Sequence, residues 1–230
     1  MSKIISFANQ KGGVGKSTLT SLAAAALACE PFNYSVYVAD IDQQQSLISR
    51  RLADLRNNDI IPSFALEFNT LSQLLSKIDV LDKEHDFIFV DTPGKLDINI
   101  AADEQEITKV LFVLDYLFIP IAPGNYNMSA TLSFLKIALK VRAQRQARRP
   151  LGIFGVVNMA EPRTIDNKFL DDELDELKNY VSIDFLKNRV KRYSKFRAAD
   201  TLESLFDEKS SERAKVNFTN FIKEFHSKIK

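Results

Sequence analysis

Residues 10–18, Gln-Lys-Gly-Gly-Val-Gly-Lys-Ser-Thr, constrain this chain more than any other stretch. They follow an apolar run, Ile4-Ile5-Ser6-Phe7-Ala8, and precede a helix-prone stretch from Leu19 to Ala28. Strand, glycine-rich loop and helix in that order let backbone N–H groups turn inward without side-chain clashes. The start of the helix adds its positive dipole end, so the arrangement suits a bound phosphate. On this reading Gly12, Gly13, Val14, Gly15 and Thr18 contact the ligand, Lys16 reaches its outer phosphates, and the Ser17 hydroxyl holds a magnesium ion.

Five β-rich runs stand out: Lys3–Ala8, Val36–Ile41, Phe87–Asp91, Leu117–Ile121 and Ile153–Val157. Several are continuously apolar, as expected of strands buried on both faces of a parallel sheet. Helical stretches separate or follow them: Thr18–Ala28, Gln43–Asn57, Ser129–Arg149, Asn167–Tyr180, Asp200–Phe206 and Ser211 to the end. A short edge strand is expected around Val181–Ile183. The alternation predicts an α/β fold, a doubly wound and mostly parallel sheet flanked by helices. With 230 residues and no linker or repeat, residues 1–230 are expected to form a single domain.

Two carboxylate motifs fall at strand ends, where open α/β sheets bind their ligands. The first is Asp40-Ile41-Asp42-Gln43-Gln44-Gln45-Ser46; its carboxylates serve either the site or the cap of the helix starting near Ser46. The second is Phe87-Ile88-Phe89-Val90-Asp91-Thr92-Pro93-Gly94, in which a buried strand carries Asp91 towards a metal ion. Gly94 gives the following loop the freedom to sense a terminal phosphate. Farther on, Asn158 ends a strand and offers a donor and an acceptor to a base edge, or merely terminates the strand in a turn.

The loop departs from G-x-x-x-x-G-K-[ST], because Gln10 replaces the first glycine and Lys11 follows it. Lys-Gly-Gly-Val-Gly-Lys-Ser resembles the deviant Walker A motif of the ParA/MinD family of dimerising P-loop ATPases. The resemblance covers nearly the whole chain, strongest at Gln10–Thr18, Asp40–Ser46 and Asp91–Gly94. It is greatest to ParA-type partition ATPases that lack an N-terminal DNA-binding domain. It implies hydrolysis of ATP with Mg²⁺, weak until an adaptor protein stimulates it, and an ATP-dependent homodimer in which Lys11 reaches the partner's nucleotide. It makes Lys11, Lys16 and Asp42 catalytic, with Asp42 orienting the attacking water. It places Ser17, Asp40 and Asp91 around the metal, Asp40 acting through the water shell or the switch geometry. Gln43 replaces the family's proline, which implies a less rigid turn. Asn158 falls in the segment that meets the adenine.

Net charge is only +1, but the basic residues cluster. Lys136–Arg149 holds six and no acidic residue; Lys187–Arg197 holds another six, with Asp171–Glu176 as an acidic counterweight. The second cluster, Lys187, Arg189, Lys191, Arg192, Lys195 and Arg197, corresponds to the region that binds non-specific DNA in the family. DNA phosphates would relieve its self-repulsion through counterion release; the alternative is a solvated face. Arg142, Arg145, Arg148 and Arg149 either extend the patch or face solvent.

No run approaches the ~20 apolar residues of a membrane span, and with a first strand expected from Lys3, neither a signal peptide nor an N-terminal DNA-binding domain is expected. One cysteine, Cys29, rules out an intrachain disulfide framework. A cytoplasmic protein is expected, nucleoid-associated when ATP-bound. The tail places Phe218, Phe221, Ile222, Phe225 and Ile229 on one helical face, expected to pack on the sheet rather than meet a membrane. The alternatives are a MinD-like membrane-cycling ATPase, a nucleotide-gated interaction module, and a metabolic enzyme on the same scaffold.

Overall fold

The computed structural model describes residues 1–93, 101–124, 128–145, 149–204 and 212–230. Strands and helices alternate as β1 (Lys3–Phe7), α1 (Lys16–Ala28), β2 (Val36–Asp40), α2 (Ser46–Asn57), β3 (Ala65–Phe68), α3 (Leu71–Glu84), β4 (Phe87–Asp91) and α4 (Ala101–Val113). They continue as β5 (Tyr116–Ile121), α5 (Met128–Arg145), β6 (Gly152–Val157), α6 (Ile165–Tyr180), β7 (Asp184–Phe185), α7 (Ser194–Ala198) and α8 (Glu212–Ile229). The strands form a seven-stranded sheet in the order β3-β2-β4-β1-β5-β6-β7, with every pairing parallel. This is the doubly wound α/β architecture expected from the apolar runs.

Alternate side chains of the central strands feed two cores. Ile4, Ile88, Val90, Leu117 and Ile119 pack against α3, α4, α5 and α6. Ile5, Phe7, Phe87, Phe89 and Phe118 face the opposite way, towards α1, α2, α7 and α8. One face of the sheet is thus mainly aliphatic and the other largely phenylalanine. On the aromatic face Phe225 of α8 meets three strands at once, its ring centroid 5.5 Å from Phe7, 6.3 Å from Phe89 and 4.6 Å from Phe118. Phe218, Phe221, Ile222, Phe225 and Ile229 are completely buried, each contributing roughly 1.5–3 kcal/mol. The last helix is therefore core, as expected. Ala23–Ala26 of α1 are buried on the same face, where their small side chains let the helix lie close to the sheet.

Three elements were not expected. β3 is a half-exposed edge strand. α3 opens with a capping box in which Thr70 Oγ1 accepts the Gln73 N–H and Gln73 Oε1 accepts the Thr70 N–H. α4 packs Ile107, Val110 and Leu111 into the aliphatic core. Two expectations need correction. The edge strand is Asp184–Phe185, not Val181–Ile183, because Val181 caps the end of α6 and its N–H bonds to Leu177 O. Asp200–Ser204 is not helical: Asp200 Oδ1 accepts the N–H groups of Leu202 and Glu203 and closes a turn instead. A single-turn helix, α7, forms just before it. Gly94, Phe206 and Arg148 lie outside the described residues.

Candidate nucleotide-binding site

The parallel register brings the chemistry to one edge of the sheet. Asp40 and Asp91 end neighbouring strands and are register partners. The glycine-rich loop leaves β1, which is paired to β4. Loop and carboxylates therefore meet at the carboxyl ends of the central strands, the position that open α/β sheets use for ligands.

The loop has the backbone that the glycines suggested. Gly13 and Gly15 take φ values of 78° and 88°, in the left-handed region. Nothing lies within 4 Å of a Cβ placed on Gly13, so that position opens onto free space. A Cβ on Gly15 would lie 2.3 Å from Asn158 Nδ2. The start of α1 has no side-chain cap and no acidic residue in its first turn. Its first N–H groups and its dipole are left for an anion. Lys16 is buried, with Nζ donating to Lys11 O at 3.0 Å. Burial pulls its ammonium below the ordinary lysine value, while the negative charges of Asp91 and Asp42 pull it back up.

Asp91 is fully buried, and its pKa is pushed up to about 7, chiefly by burial and further by the charges of Asp40 and Asp42. Ser17 and Lys16 act in the opposite sense. Neither Asp91 oxygen has a well-formed hydrogen bond, although the Ser17 hydroxyl is close enough to favour the ionised form. Gln10 Oε1 and Thr92 Oγ1 are also buried without partners. Buried polar atoms are normally satisfied, so orphaned oxygens beside an uncapped helix and a buried lysine fit a phosphate-bearing ligand with a divalent cation. That donor set is hard oxygen, the kind magnesium takes.

The Asp40–Asp42 segment is more ordered than the loss of proline suggested. Asp40 Oδ1 accepts the Asp42 N–H at 3.0 Å and Oδ2 accepts the Ile48 N–H at 3.4 Å, so this carboxylate caps α2. Burial raises the Asp40 pKa, and these backbone donors hold it down. Asp42 Oδ1 accepts the Gln44 N–H, and Asp42 O accepts the Gln45 N–H, closing the turn around Gln43. Asp42 is itself buried and close enough to act on Lys16 and Asp91.

Beside the loop lies a cavity of about 290 Å³ lined by Gly13, Thr18, Asn158, Met159, Lys191, Arg192, Tyr193, Phe196 and Arg197. Asn158 commits its amide group to Val14 O at 2.8 Å, which straps the loop to the end of β6. Lys191, Arg192 and Arg197 thus border the loop's own cavity. Lys187 and Arg189 line a different groove, beside β7. Arg189 pairs with Asp171, and Arg192 pairs with Glu161. Of the earlier basic cluster, Arg145 donates to Leu111 O and Leu114 O, and Arg149 forms an ion pair with Asp115. Asp115 Oδ2 also accepts the Ile4 N–H, so these arginines secure the opposite end of the sheet.

Four structural residues near the site carried no sequence signal of their role. Arg50 donates to Arg197 O and Ala199 O. Buried Arg51 donates to Thr201 and to Phe64 O. From α8, Glu224 accepts the N–H groups of Lys187 and Asn188, while Asn217 bonds to Lys191 N and Arg189 O. The basic segment is fastened at both ends. Among the described residues, no helix is long and apolar enough to cross a membrane.

Comparison with known proteins agrees with this architecture. "Maintenance of carboxysome distribution protein A" of Halothiobacillus neapolitanus is 22% identical over 195 residues, covering 85% of this chain and 82% of that protein. The structure of cobyrinic acid a,c-diamide synthase from Mycobacterium smegmatis, with bound ATP analog and magnesium, superposes with a TM-score of 0.65 at 17% identity, covering 97% of this chain and 93% of that one. A plasmid partition protein from Borrelia burgdorferi gives a TM-score of 0.65 at 19% identity, covering 100% of both chains. At such identities the solved structures show a shared fold and no shared activity. The family model described as the CobQ/CobB/MinD/ParA nucleotide binding domain matches residues 5–205, and the chain belongs to that family.

Proposed function

We propose that this chain is a ParA-type ATPase that dimerises on ATP, binds DNA without sequence preference, and positions or segregates a cargo. The observation that carries the reading is the glycine-rich loop opening an uncapped helix beside the orphaned Asp91 carboxylate. Loop amides from Gly12 to Thr18 and the Lys16 ammonium bind and orient the phosphates. Ser17 and Asp91 would hold a magnesium ion, and Asp40 fixes the turn that carries Asp42. The ion supplies charge neutralisation on the phosphate oxygens. Asp42 orients a water for attack on the γ-phosphorus; the bond to the bridging oxygen breaks, leaving ADP and phosphate. Most of the acceleration is positioning and electrostatics.

Lys11 is assigned to the partner copy's nucleotide, and Asn158, with the cavity beside it, to the base side. The basic segment Lys187–Arg197 is assigned to DNA phosphates. A carboxysome-distribution protein resembles this chain in sequence and a plasmid partition protein shares its fold, which supports a cargo-positioning role with an adaptor that raises a slow basal turnover. A cytoplasmic protein that joins the nucleoid in its ATP state follows. Burial of the α8 phenylalanines weighs against a membrane-cycling role for that helix.

The test is binding to random-sequence duplex DNA with ATP, with ADP and without nucleotide at two salt concentrations, alongside the oligomeric state by light scattering. Binding and dimerisation confined to ATP, with the affinity falling steeply as salt rises, are expected. Dimerisation without DNA binding would leave a nucleotide-gated protein-interaction module.

A further inference from the structure

Two arginines of the proposed DNA surface are each held by a carboxylate of their own chain. Arg189 Nη2 lies 2.5 Å from Asp171 Oδ1 on α6. Arg192 Nε lies 2.7 Å from Glu161 Oε1, just before α6. A carboxylate this close neutralises the guanidinium charge that a phosphate would otherwise meet, although Asp171 Oδ1 is buried and makes no hydrogen bond. All four side chains are between 38% and 51% exposed. Such pairs are weak and exchangeable, and a phosphate can reach them.

The backbone beneath these side chains is fixed. Glu224 and Asn217 hold residues 187–191 against α8, and Arg50 holds the carbonyl of Arg197. Ala160 N donates to Val190 O, and Arg192 N donates to Ala160 O. What remains able to change is the choice of anion at each guanidinium. One of the two is coupled to the nucleotide site by position: Arg192 pairs with Glu161 and also lines the cavity shared with Gly13, Thr18 and Asn158. A ligand filling that cavity meets one member of the pair.

We infer that Glu161 and Asp171 act as intramolecular stand-ins for phosphate, shielding Arg192 and Arg189 from DNA, and that filling the cavity releases Arg192 from Glu161 while the Asp171–Arg189 pair, in its own groove, does not respond to nucleotide. The inference rests on the reading of Lys187–Arg197 as a DNA surface. It makes the DNA switch partly an exchange of anions on a fixed segment, in addition to any gain from dimerisation.

The double variant Glu161→Gln, Asp171→Asn tests it, with labelled random-sequence duplex and fluorescence anisotropy in the nucleotide-free, ADP and ATP states at one salt concentration. Asp172→Asn combined with Glu176→Gln, which removes the same two negative charges at exposed positions of α6, serves as the control. Nucleotide-free affinity of the double variant should rise about five- to tenfold, a few-fold per pair, while its ATP-state affinity rises only by the few-fold share of the Asp171–Arg189 pair and the control leaves the ratio between states unchanged. An equal gain in all three states would reduce the pairs to general charge and overturn the gate. Nucleotide-free affinity equal to wild type, with ATP-dependent binding intact, would overturn the gate and leave the DNA reading standing. No binding by either protein in any state would overturn both.

Discussion

Lys16 Nζ donates to the backbone carbonyl of Lys11 at 3.0 Å, so the two lysines of the loop are joined by a bond that closes the loop on itself. A phosphate entering the loop takes over a cation that is already buried and aimed. Replacing Lys16 by Ala removes both the closure and the charge. ATP affinity measured by calorimetry should fall about 10- to 100-fold, as expected for losing a charge-assisted hydrogen bond. An affinity within about twofold of wild type would remove Lys16 from the phosphate site.

Gly15→Ala tests the strap between loop and β6. Its φ of 88° costs an L-residue roughly 1–2 kcal/mol. The added Cβ would also displace Asn158 Nδ2 from Val14 O. Nucleotide affinity should drop at least about tenfold while the far-ultraviolet circular dichroism stays that of the wild type. Undiminished affinity would show that the loop tolerates a different path.

Asp91 gives the stability an unusual dependence on pH. Its folded pKa of about 7 lies above the unfolded value of 3.8. Between those values the folded chain binds more protons than the unfolded one, so this group's contribution falls as pH rises and levels off above about pH 7. The full cost of ionising it in place is up to about 4 kcal/mol. Asp91→Asn removes that cost, and without metal the variant should gain more stability over wild type at pH 8 than at pH 5. Urea denaturation at the two pH values measures the difference; a gain independent of pH would contradict the raised pKa.

The role proposed for Asp42 would separate binding from turnover. Its carboxylate takes the Gln44 N–H, a bond that Asn can still accept, so Asp42→Asn should keep the turn and the nucleotide. Single-turnover hydrolysis should slow at least about 100-fold with ATP affinity unchanged. Wild-type hydrolysis would move the water-orienting role elsewhere.

Much of this could be read from the residues because the signals are local. Phe87–Val90 are apolar without a break and buried on both faces of the sheet, and the loop and strand-end aspartates sit within short motifs. β3 escaped because an edge strand needs no such run: Ala65 and Glu67 are exposed, with only Leu66 and Phe68 half-buried. The capping box of α3, by contrast, is written in Thr70 and Gln73 and could have been found. Residues that act across the fold were not legible. Asn158 reaches Val14 and Arg51 reaches Thr201 only once the fold is in place; the acidic stretch Asp171–Glu176 is legible as the counterweight of the basic segment, but not that Asp171 meets Arg189. Charge counting found the basic segment; it could not show that part of it lines the loop's cavity.

The aromatic face of the sheet has a consequence for synthesis. Phe7, whose strand leads into the phosphate loop, is covered by Phe225 of the last helix. On the ribosome, β1 emerges before α8, yet its phenylalanine side is only partly covered, by α1 and α2, until α8 has left the exit tunnel. A nascent chain can therefore carry the whole loop sequence without a closed core beneath it. Release of α8 completes the platform on which the loop stands, so the capacity to hold nucleotide should arrive with α8 rather than with the loop itself.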